Sequence, residues 1–415
     1  MSTSINYVPV PPAGWDGEAL ARLGEAIGFG EGRSRYIGGW VRDTLAGVQP
    51  GDLDIGTQLL PEEVKARAEA AGLTVWSSPS GIAHGTVGVV VGGKPVEVTT
   101  LRRDVSTDGR RATVAFTRGW QEDAARRDFT INALSADPVT GQVFDHFGGG
   151  DDLAAGVVRF IGDPLQRIAE DHLRILRFFR FHARFGRGAP EQAAYAACKA
   201  RANDLMALSR ERIADELLKL LGTADPAQAI GHMLNADIFK PVLPEFDQAG
   251  LERLEALVRA ERAAQLPGDP VRRLSALGPQ DADKAEGIAA RLKLSNAQRK
   301  RIAAALTAPA AGSQELAYRI GVEGAIDRLL LDGDAEAAAT IAAWNPPRLP
   351  ISGGALVKRG LDAGPAVARA LRMVEDRWVA EGFPPLARVD QLADEVAATL
   401  RDQKSNAASG SSGAA

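Results

Sequence analysis

Residues 36–57 read YIGGWVRDTLAGVQPGDLDIGT, and this stretch decides the predicted fold. A short strand is predicted to end at Gly38-Gly39, and a helix is predicted to follow. Glycine lets the backbone approach a ligand closely, and free N–H groups at a helix start can bind phosphate. Arg42 would project near the same end as a bidentate phosphate partner. A tight strand–helix turn is the alternative interpretation.

Two carboxylates, Asp52 and Asp54, follow within a predicted strand over residues 52–55. Alternate side chains of a strand share one face, and neighbouring carboxylates repel unless a cation lies between them. Hard oxygens of this kind suit Mg²⁺. A solvated edge strand or an Asx turn is the alternative, but the order of strand, glycines, Arg42 helix and carboxylates favours a triphosphate site with a metal ion. Glu97, on a later predicted strand, is either a third carboxylate or an ordinary strand residue.

A second motif, AARRDFTINAL, occupies residues 124–134. Arg127 and Asp128 close a helix-like stretch, and the apolar residues that follow would anchor it in a core. Asp128 and Asn132 are expected to fix this region by hydrogen bonds. A charge cluster at a helix end is the alternative.

A third motif, DPLQRIAEDHLRILRFFRFHARFGR, occupies residues 163–187 and is predicted to be helical, with one apolar stripe and one charged arc. The stripe contains Leu165, Ile168, Ile175, Leu176 and Phe179, and the arc contains Asp171, Arg174, Arg177, Arg180 and Arg184. A solvated face of charge pairs is the alternative.

Asp171 and Arg174 together could discriminate between nucleobases. Cytosine and adenine both present an exocyclic amine beside a ring-nitrogen acceptor. A carboxylate can accept from the amine while a guanidinium donates to the ring nitrogen. Uracil and guanine present the reverse pattern, so the pair would select C and A without a template.

The motifs GGWVRD, GDLDI, ARRDFTINAL and EDHLR, in this order, resemble those of class II tRNA nucleotidyltransferases (CCA-adding enzymes) and the related bacterial poly(A) polymerases. The resemblance is strong over residues 30–220 and weak beyond. It implies an α+β fold, with a polymerase-β-like nucleotidyltransferase head (a small mixed sheet with helices) before an elongated all-α neck, body and tail. It also implies that residues 108–111 (DGRR) form a mobile loop facing RNA or nucleotide.

The resemblance gives each motif a role by position. Asp52 and Asp54 would be the catalytic carboxylates that bind Mg²⁺. The nucleotide would be bound by Gly38, Gly39, Arg42, Arg127, Asp171, Arg174, Arg177 and Arg180. Acceptor tRNA, CTP and ATP are the implied partners, and CMP and AMP would be transferred to the tRNA 3′-hydroxyl with release of pyrophosphate.

Composition limits the other possibilities. The chain has 415 residues, 45% of them apolar and 25% charged, with a net charge of −4 and a single cysteine. These values are typical of a soluble protein without a disulfide framework, in which any RNA-binding surface must be local. The sequence shows no membrane-spanning stretch, signal peptide or transit pattern, so we expect a cytoplasmic protein without a membrane partner. No protein partner is implied.

Composition shifts and glycine or proline clusters predict the domain boundaries. The expected segments are a head over 1–150, a neck over 151–222, a body over 223–346, an RNA-binding tail over 347–403 and a disordered end over 404–415. A poly(A) polymerase and a partial CC-adding or A-adding enzyme remain alternatives. So do a non-catalytic RNA-binding relative and a nucleotidyltransferase acting on small molecules, although paired aspartates argue against a pure binder and the long helical body argues against a small-molecule enzyme.

Overall fold

A computed structural model describes residues 7–10, 12–108, 111–307 and 312–410. Two residues of the predicted mobile loop, Gly109 and Arg110, lie outside this part of the chain. The chain divides into two compact units, Met1–Leu251 and Glu252–Ala415. The first unit contains every strand of the described residues, and the second is helical, which confirms the α+β fold class.

The first unit is built on a seven-stranded mixed sheet with the order β3-β4-β5-β2-β1-β8-β9, beside a separate β6-β7 hairpin. The strands are β1 Ser34–Ile37, β2 Asp54–Thr57, β3 Thr74–Trp76, β4 Thr86–Val91, β5 Lys94–Thr100, β6 Arg102–Asp108, β7 Arg111–Phe116, β8 Ser135–Ala136 and β9 Val143–Phe144. Gly92 and Gly93 connect β4 to β5 as a hairpin and have positive φ angles of 56° and 80°.

Helices surround this sheet and continue through both units. Those of the first unit are α1 Gly17–Ile27, α2 Gly39–Leu45, α3 Pro61–Ala70, α4 Pro79–Ala83, α5 Trp120–Ala125, α6 Gly149–Ala155, α7 Pro164–Glu170, α8 Arg174–Phe185, α9 Gln192–Ala200, α10 Arg210–Leu221 and α11 Ala227–Asn235, with 3₁₀ turns at Thr130–Asn132 and Ala202–Ala207. The division between the units falls within α12 Gln248–Ala263.

The remaining helices belong to the second unit. They are α13 Pro270–Leu277, α14 Ala282–Arg291, α15 Asn296–Thr307, α16 Ser313–Ile320, α17 Val322–Leu331, α18 Ala335–Ala342, α19 Gly353–Val357, α20 Pro365–Ala380 and α21 Leu386–Gly410. Disorder was predicted over residues 404–415, whereas α21 continues to Gly410; residues 411–415 lie outside the described part of the chain. Across the described residues, every helix is too short or too polar to cross a membrane.

Strand β2 lies in the middle of the sheet, between β5 and β1. It pairs in parallel with β5, with Asp54 beside Glu97, and antiparallel with β1, with Asp54 beside Ile37. The buried side chains of Leu53 and Ile55 hold this strand in the core. The polar face of β2 therefore lies next to the end of β1 that leads into Gly38.

The predicted helix over 163–187 is two helices, α7 and α8, separated by residues 171–173. Asp171 ends α7 in an extended conformation (φ −153°, ψ 107°), and its side chain accepts the Leu173 N–H at 3.1 Å. An aspartate that bonds to nearby backbone favours a break over a continuous helix. The prediction of a single apolar stripe is wrong at one position, because Leu165 on α7 is exposed.

Candidate active site

Gly38 turns the chain from β1 into α2 in a conformation that glycine alone adopts easily. Its φ is 65° and its ψ is −125°, and its N–H donates to the Leu134 carbonyl at 3.1 Å. A Cβ at this position would lie 2.9 Å from Nη1 of Arg127. At Gly39 a Cβ would meet only Nη2 of Arg42, at 3.6 Å. Glycine is therefore required at Gly38, both for backbone conformation and for the approach of Arg127.

The Arg42 side chain is buried and held in place by several contacts. Its Nε donates to Oδ1 of Asp43 at 2.8 Å, and its Nη1 donates to Oδ1 of Asn132. Its guanidinium carbon lies 5.0 Å from the centre of the Phe181 ring. Burial lowers the pKa of Arg42, and Asp43 opposes that shift. A buried guanidinium with this support is preorganised for an anionic ligand.

Asp128 connects the second motif to helix α8. Its buried carboxylate accepts from Nδ2 of Asn132 at 2.8 Å and from Nε of Arg177 at 2.7 Å. Burial opposes ionisation, but the Arg177 charge and these hydrogen bonds hold the pKa of Asp128 below its usual value. The expectation that Asp128 and Asn132 fix this region by hydrogen bonds is confirmed. Arg127 is oriented by Asp123, whose Oδ2 lies 3.2 Å from Nη2.

The two proposed base-reading residues lie at the break between α7 and α8, and each is held by a different partner. Both carboxylate oxygens of Asp171 accept from Nη2 of Arg212, at 3.1 and 2.8 Å. Arg174 donates to the Arg167 carbonyl at 2.7 Å and to the carboxylate of Glu170. Asp171 and Arg174 are half-buried, so their free edges can still meet a ligand.

These side chains line a cleft of about 530 Å³, which we call the arginine cleft. Its lining consists of Gly38, Gly39, Arg42, Arg102, Arg126, Arg127, Asp128, Asn132, Asp171, Leu173, Arg174, Arg177, Phe181 and Arg212. Seven arginines against two aspartates suit a polyanionic ligand, and the volume suits a small molecule.

The arginine cleft brings together every predicted nucleotide-binding residue except Arg180. The Arg180 Nε donates to the buried carboxylate of Glu216 at 2.6 Å, and its guanidinium carbon lies 4.3 Å from the Phe181 ring centre. The cleft also contains Phe181, which the sequence did not indicate, and Arg212, which the sequence placed with Arg210 on a mainly structural helix near the substrate without a site role. Arg212 is 41 residues from Asp171, and no local pattern in the sequence indicates that the two side chains meet.

The candidate catalytic carboxylates lie beside this cleft, on and before β2. Asp52 precedes the strand and is exposed, so the prediction that both aspartates belong to one strand is wrong. The turn residues Pro50-Gly51 delay the start of β2. Asp54 is half-buried and begins the strand, and the exposed Glu97 is its register partner on β5.

Negative charge is concentrated around Asp54, which makes the position suitable for a cation. Burial, then the charge of Glu97, raises the pKa of Asp54 to about 6; Asp52 contributes in the same direction, while Arg127 opposes the shift. Within the described ranges, no group of three or more acidic, histidine or cysteine side chains is close enough to hold a metal ion. One or two carboxylates, completed by substrate phosphates, are a usual environment for Mg²⁺. The donor set therefore fits a divalent ion that binds together with its substrate.

Comparison with known proteins agrees with this arrangement. Residues 34–159 match the family model described as the poly(A) polymerase head domain, and residues 189–249 match the probable RNA and SrmB binding site of polymerase A. A mitochondrial CCA tRNA nucleotidyltransferase 1 of Danio rerio is 32% identical, over 92% of this chain and 90% of its own length. A CCA-adding enzyme of Lacticaseibacillus paracasei is also 32% identical, over 87% and 90% of the two chains.

A solved structure shows the same similarity in three dimensions. The Bacillus stearothermophilus CCA-adding enzyme in complex with CTP superposes with a TM-score of 0.72 and 28% identity, covering 94% of this chain and 99% of the other. The head and the arginine cleft define a nucleotidyltransferase of the poly(A) polymerase class, and such enzymes typically use a divalent metal ion. Within that class, the chain belongs to the family of CCA tRNA nucleotidyltransferases, the CCA-adding enzymes.

Proposed function

We propose that this protein adds CCA to the 3′ end of tRNA, using CTP and ATP. The observation that carries the proposal is the arginine cleft, which joins a polyanion-binding wall to the Asp171/Arg174 pair in one space beside two carboxylates. Relatives that match nearly the whole chain are named for this activity. In each cycle the 3′-hydroxyl oxygen bonds to the α-phosphorus, the bond to the β-phosphate breaks, and pyrophosphate and a proton leave.

Two groups of side chains in the cleft are proposed to bind different parts of the nucleotide. Arg42 and Arg127, next to the Gly38 turn, are proposed to bind the triphosphate. Asp171 and Arg174 are proposed to read the base, accepting from the amine of C or A and donating to its ring nitrogen. Arg177 lines the same cleft while bonded to Asp128 and is proposed to contact the nucleotide. Nucleotide binding by Arg180 stays a prediction, because Arg180 is not part of the cleft lining and its Nε donates to Glu216.

Asp52 and Asp54 are proposed to hold Mg²⁺. The ion would neutralise the polyphosphate charge and make the attacking hydroxyl easier to deprotonate. The chain itself supplies orientation, because β2 is fixed between β5 and β1 and places Asp54 beside Ile37, the residue before Gly38. Cytoplasmic location stays a prediction, since several relatives are named mitochondrial.

The proposal is tested with tRNA transcripts that lack three, two or one of the terminal nucleotides. Each is incubated with Mg²⁺ and one of the four triphosphates, and the 3′ ends of the products are sequenced. We expect CMP on the first two transcripts, AMP on the third, and no extension after CCA. Addition of only CC, only A or a run of A would overturn the proposal in favour of the corresponding alternative.

A variant pair tests the role of the carboxylates in the same assay. Asp54→Asn should reduce the transfer rate by roughly 100-fold or more, because a neutral amide cannot replace a carboxylate as a metal ligand. The matched control is Asp151→Asn on α6, an exposed aspartate of the first unit that should keep the wild-type rate. Equal rates in the two variants would contradict the metal-binding role.

A further inference from the structure

A second cavity lies beside the proposed catalytic carboxylates and is separate from the arginine cleft. It measures about 480 Å³, and its lining includes Trp15, Asp52, Lys94 and Pro95. We call it the Trp15 cavity. Asp52 is the lining residue that connects it to the proposed chemistry, and its volume is sufficient for a small ligand.

The order of strands places the two spaces on different sides of β2. The arginine cleft adjoins the end of β1, where Ile37 pairs with Asp54 and Gly38 begins the turn. The Trp15 cavity adjoins the start of β5, where Lys94 and Pro95 precede Glu97. Since β2 lies between β1 and β5, the carboxylates stand between two binding spaces.

Several contacts fix Trp15 at the wall of this cavity. Asp16 caps α1, accepting from the N–H groups of Glu18 and Ala19 at 3.1 and 3.0 Å. The β4–β5 turn packs on Asp16 so closely that a Cβ at Gly92 would lie 2.5 Å from the Asp16 Cβ. The Trp15 N–H donates to the Pro12 carbonyl at 3.2 Å.

Lys94, the first residue of β5, also lines the Trp15 cavity. Its Nζ donates to the Gly14 carbonyl at 2.6 Å and lies 5.2 Å from the centre of the Trp15 ring. The ammonium group retains further donors, because it has three and this contact uses one. The cavity thus presents a half-buried indole, a cation and, through Asp52, a candidate metal-binding carboxylate.

We infer that the Trp15 cavity binds the 3′-terminal nucleotide of the acceptor RNA. The inference rests on the proposed function, which requires a second substrate to reach the same carboxylates from the side that the triphosphate leaves free. The indole would stack on the terminal base regardless of its identity, and Lys94 would face the RNA phosphate. Tolerance of different bases is needed, since the acceptor end changes with each addition.

Kinetics of a tryptophan variant test the inference. Trp15→Ala should raise the KM for tRNA lacking CCA by roughly tenfold, the size of one lost base-stacking contact, and leave the KM for CTP near wild type. Trp15→Phe should restore most of the affinity, because a smaller aromatic ring still stacks. The matched control is Trp76→Ala, a solvent-exposed tryptophan on β3 of the same head, which should change neither KM.

A crosslinking measurement on the wild-type protein is independent of how the variants fold. An acceptor RNA with a photoreactive 3′-terminal base is irradiated on the enzyme, and the modified peptide is identified by mass spectrometry. Crosslinks within residues 12–18 or at Lys94 support the inference. Crosslinks confined to the arginine cleft, or an unchanged acceptor KM in both Trp15→Ala and Lys94→Ala, would overturn it.

These outcomes are distinguishable from failure of the proposed function. If the wild-type enzyme extends no tRNA with CMP or AMP, the proposed function fails, and the crosslink still shows whether the cavity receives an RNA 3′ end. If extension occurs normally while the crosslinks lie elsewhere, the proposed function stands and the assignment of the cavity is wrong.

Discussion

Arg212 orients the Asp171 carboxylate through two hydrogen bonds from a single nitrogen. A carboxylate that reads a base must present one oxygen in a fixed direction, and a free side chain would rotate. Arg212 is half-buried in the arginine cleft, so its charge is partly shielded from water. Base selection should therefore depend on Arg212 as well as on Asp171 and Arg174.

Replacing Arg212 with alanine is expected to reduce the preference for CTP over UTP by about tenfold, the size of one charge-assisted hydrogen bond. Arg212→Lys should recover part of this preference, since an ammonium still donates to the carboxylate. The measurement is the ratio of kcat/KM for the two triphosphates at fixed tRNA, together with the melting temperature.

Arg210→Ala is the matched control, because Arg210 lies on the same helix and is not part of the cleft lining. It should leave the CTP/UTP ratio unchanged. An Arg212→Ala enzyme with the wild-type ratio and a lowered melting temperature would show that the contact only stabilises the fold.

The glycine turn was predictable from sequence at the scale of single residues, and the Arg212 contact was not. Gly38 is marked by its own chemistry, because a positive φ and the lack of a Cβ are properties of one residue. The role of Arg212 depends on the approach of α10 to the break before α8, which is a tertiary contact. The predicted strand containing Asp52 was wrong for a local reason, since the preceding turn continues through that residue.

Helix α8 carries arginines on its cleft side and a buried histidine on its other side. His182 stacks on Phe178 and lies with its ring centre 5.6 Å from that of His232. Burial, and secondarily the neighbouring His232, lowers the pKa of His182 to about 4. The neutral imidazole is therefore the form that the folded helix accommodates.

The contribution of His182 to the free energy of unfolding should fall as the solution is acidified from pH 7 to pH 5, whereas Asp54, whose pKa is raised in the folded protein, contributes in the opposite direction. The pKa of His182 is lower in the folded protein than in the unfolded chain, so the unfolded chain takes up this proton first. This contribution is fully present above about pH 6.5 and is lost progressively toward about pH 4, and the loss by pH 5 is about 2 kcal/mol. Urea unfolding at pH 7 and pH 5 measures it.

A His182→Gln variant provides the comparison, because glutamine does not titrate in this range. Its loss of stability between the two pH values should be smaller than that of the wild type by about 2 kcal/mol. His146→Gln, at an exposed histidine, should keep the wild-type difference. The same pH difference in His182→Gln and wild type would contradict the assignment.

The boundary between α7 and α8 shows why elements are harder to predict than motifs. Periodicity predicted one helix over 163–187, and the apolar positions of α8 agree with it, but no residue in 171–173 is a glycine or proline. The break comes from the Asp171 side chain, which accepts hydrogen bonds from the Leu173 N–H and from Arg212. Because the proposed base-reading pair, Asp171 and Arg174, lies at this break, the wrong helix prediction affects the candidate site.

The net charge of the whole molecule predicts little about its binding surfaces. The chain carries −4, yet seven arginines line one cleft of the first unit. The second unit uses charge differently. Arg272 is buried and bridges two buried carboxylates, with Nη1 2.9 Å from Oε1 of Glu261 and Nε 2.8 Å from Oδ1 of Asp327. Arg301 also donates to Asp327, at 2.5 and 2.8 Å.

Asp327→Ala should lower the free energy of unfolding by about 3–5 kcal/mol, because it leaves the buried Arg272 charge without one of its two carboxylate partners. The affinity for CTP at low denaturant should stay unchanged, since the arginine cleft is built entirely from residues of the first unit. Urea unfolding and CTP titration measure the two quantities.

Asp332→Ala is the control, because Asp332 pairs with Arg328 in an exposed contact that should contribute less than about 1 kcal/mol. Equal stability losses in the two variants would show that the buried network does not stabilise this unit.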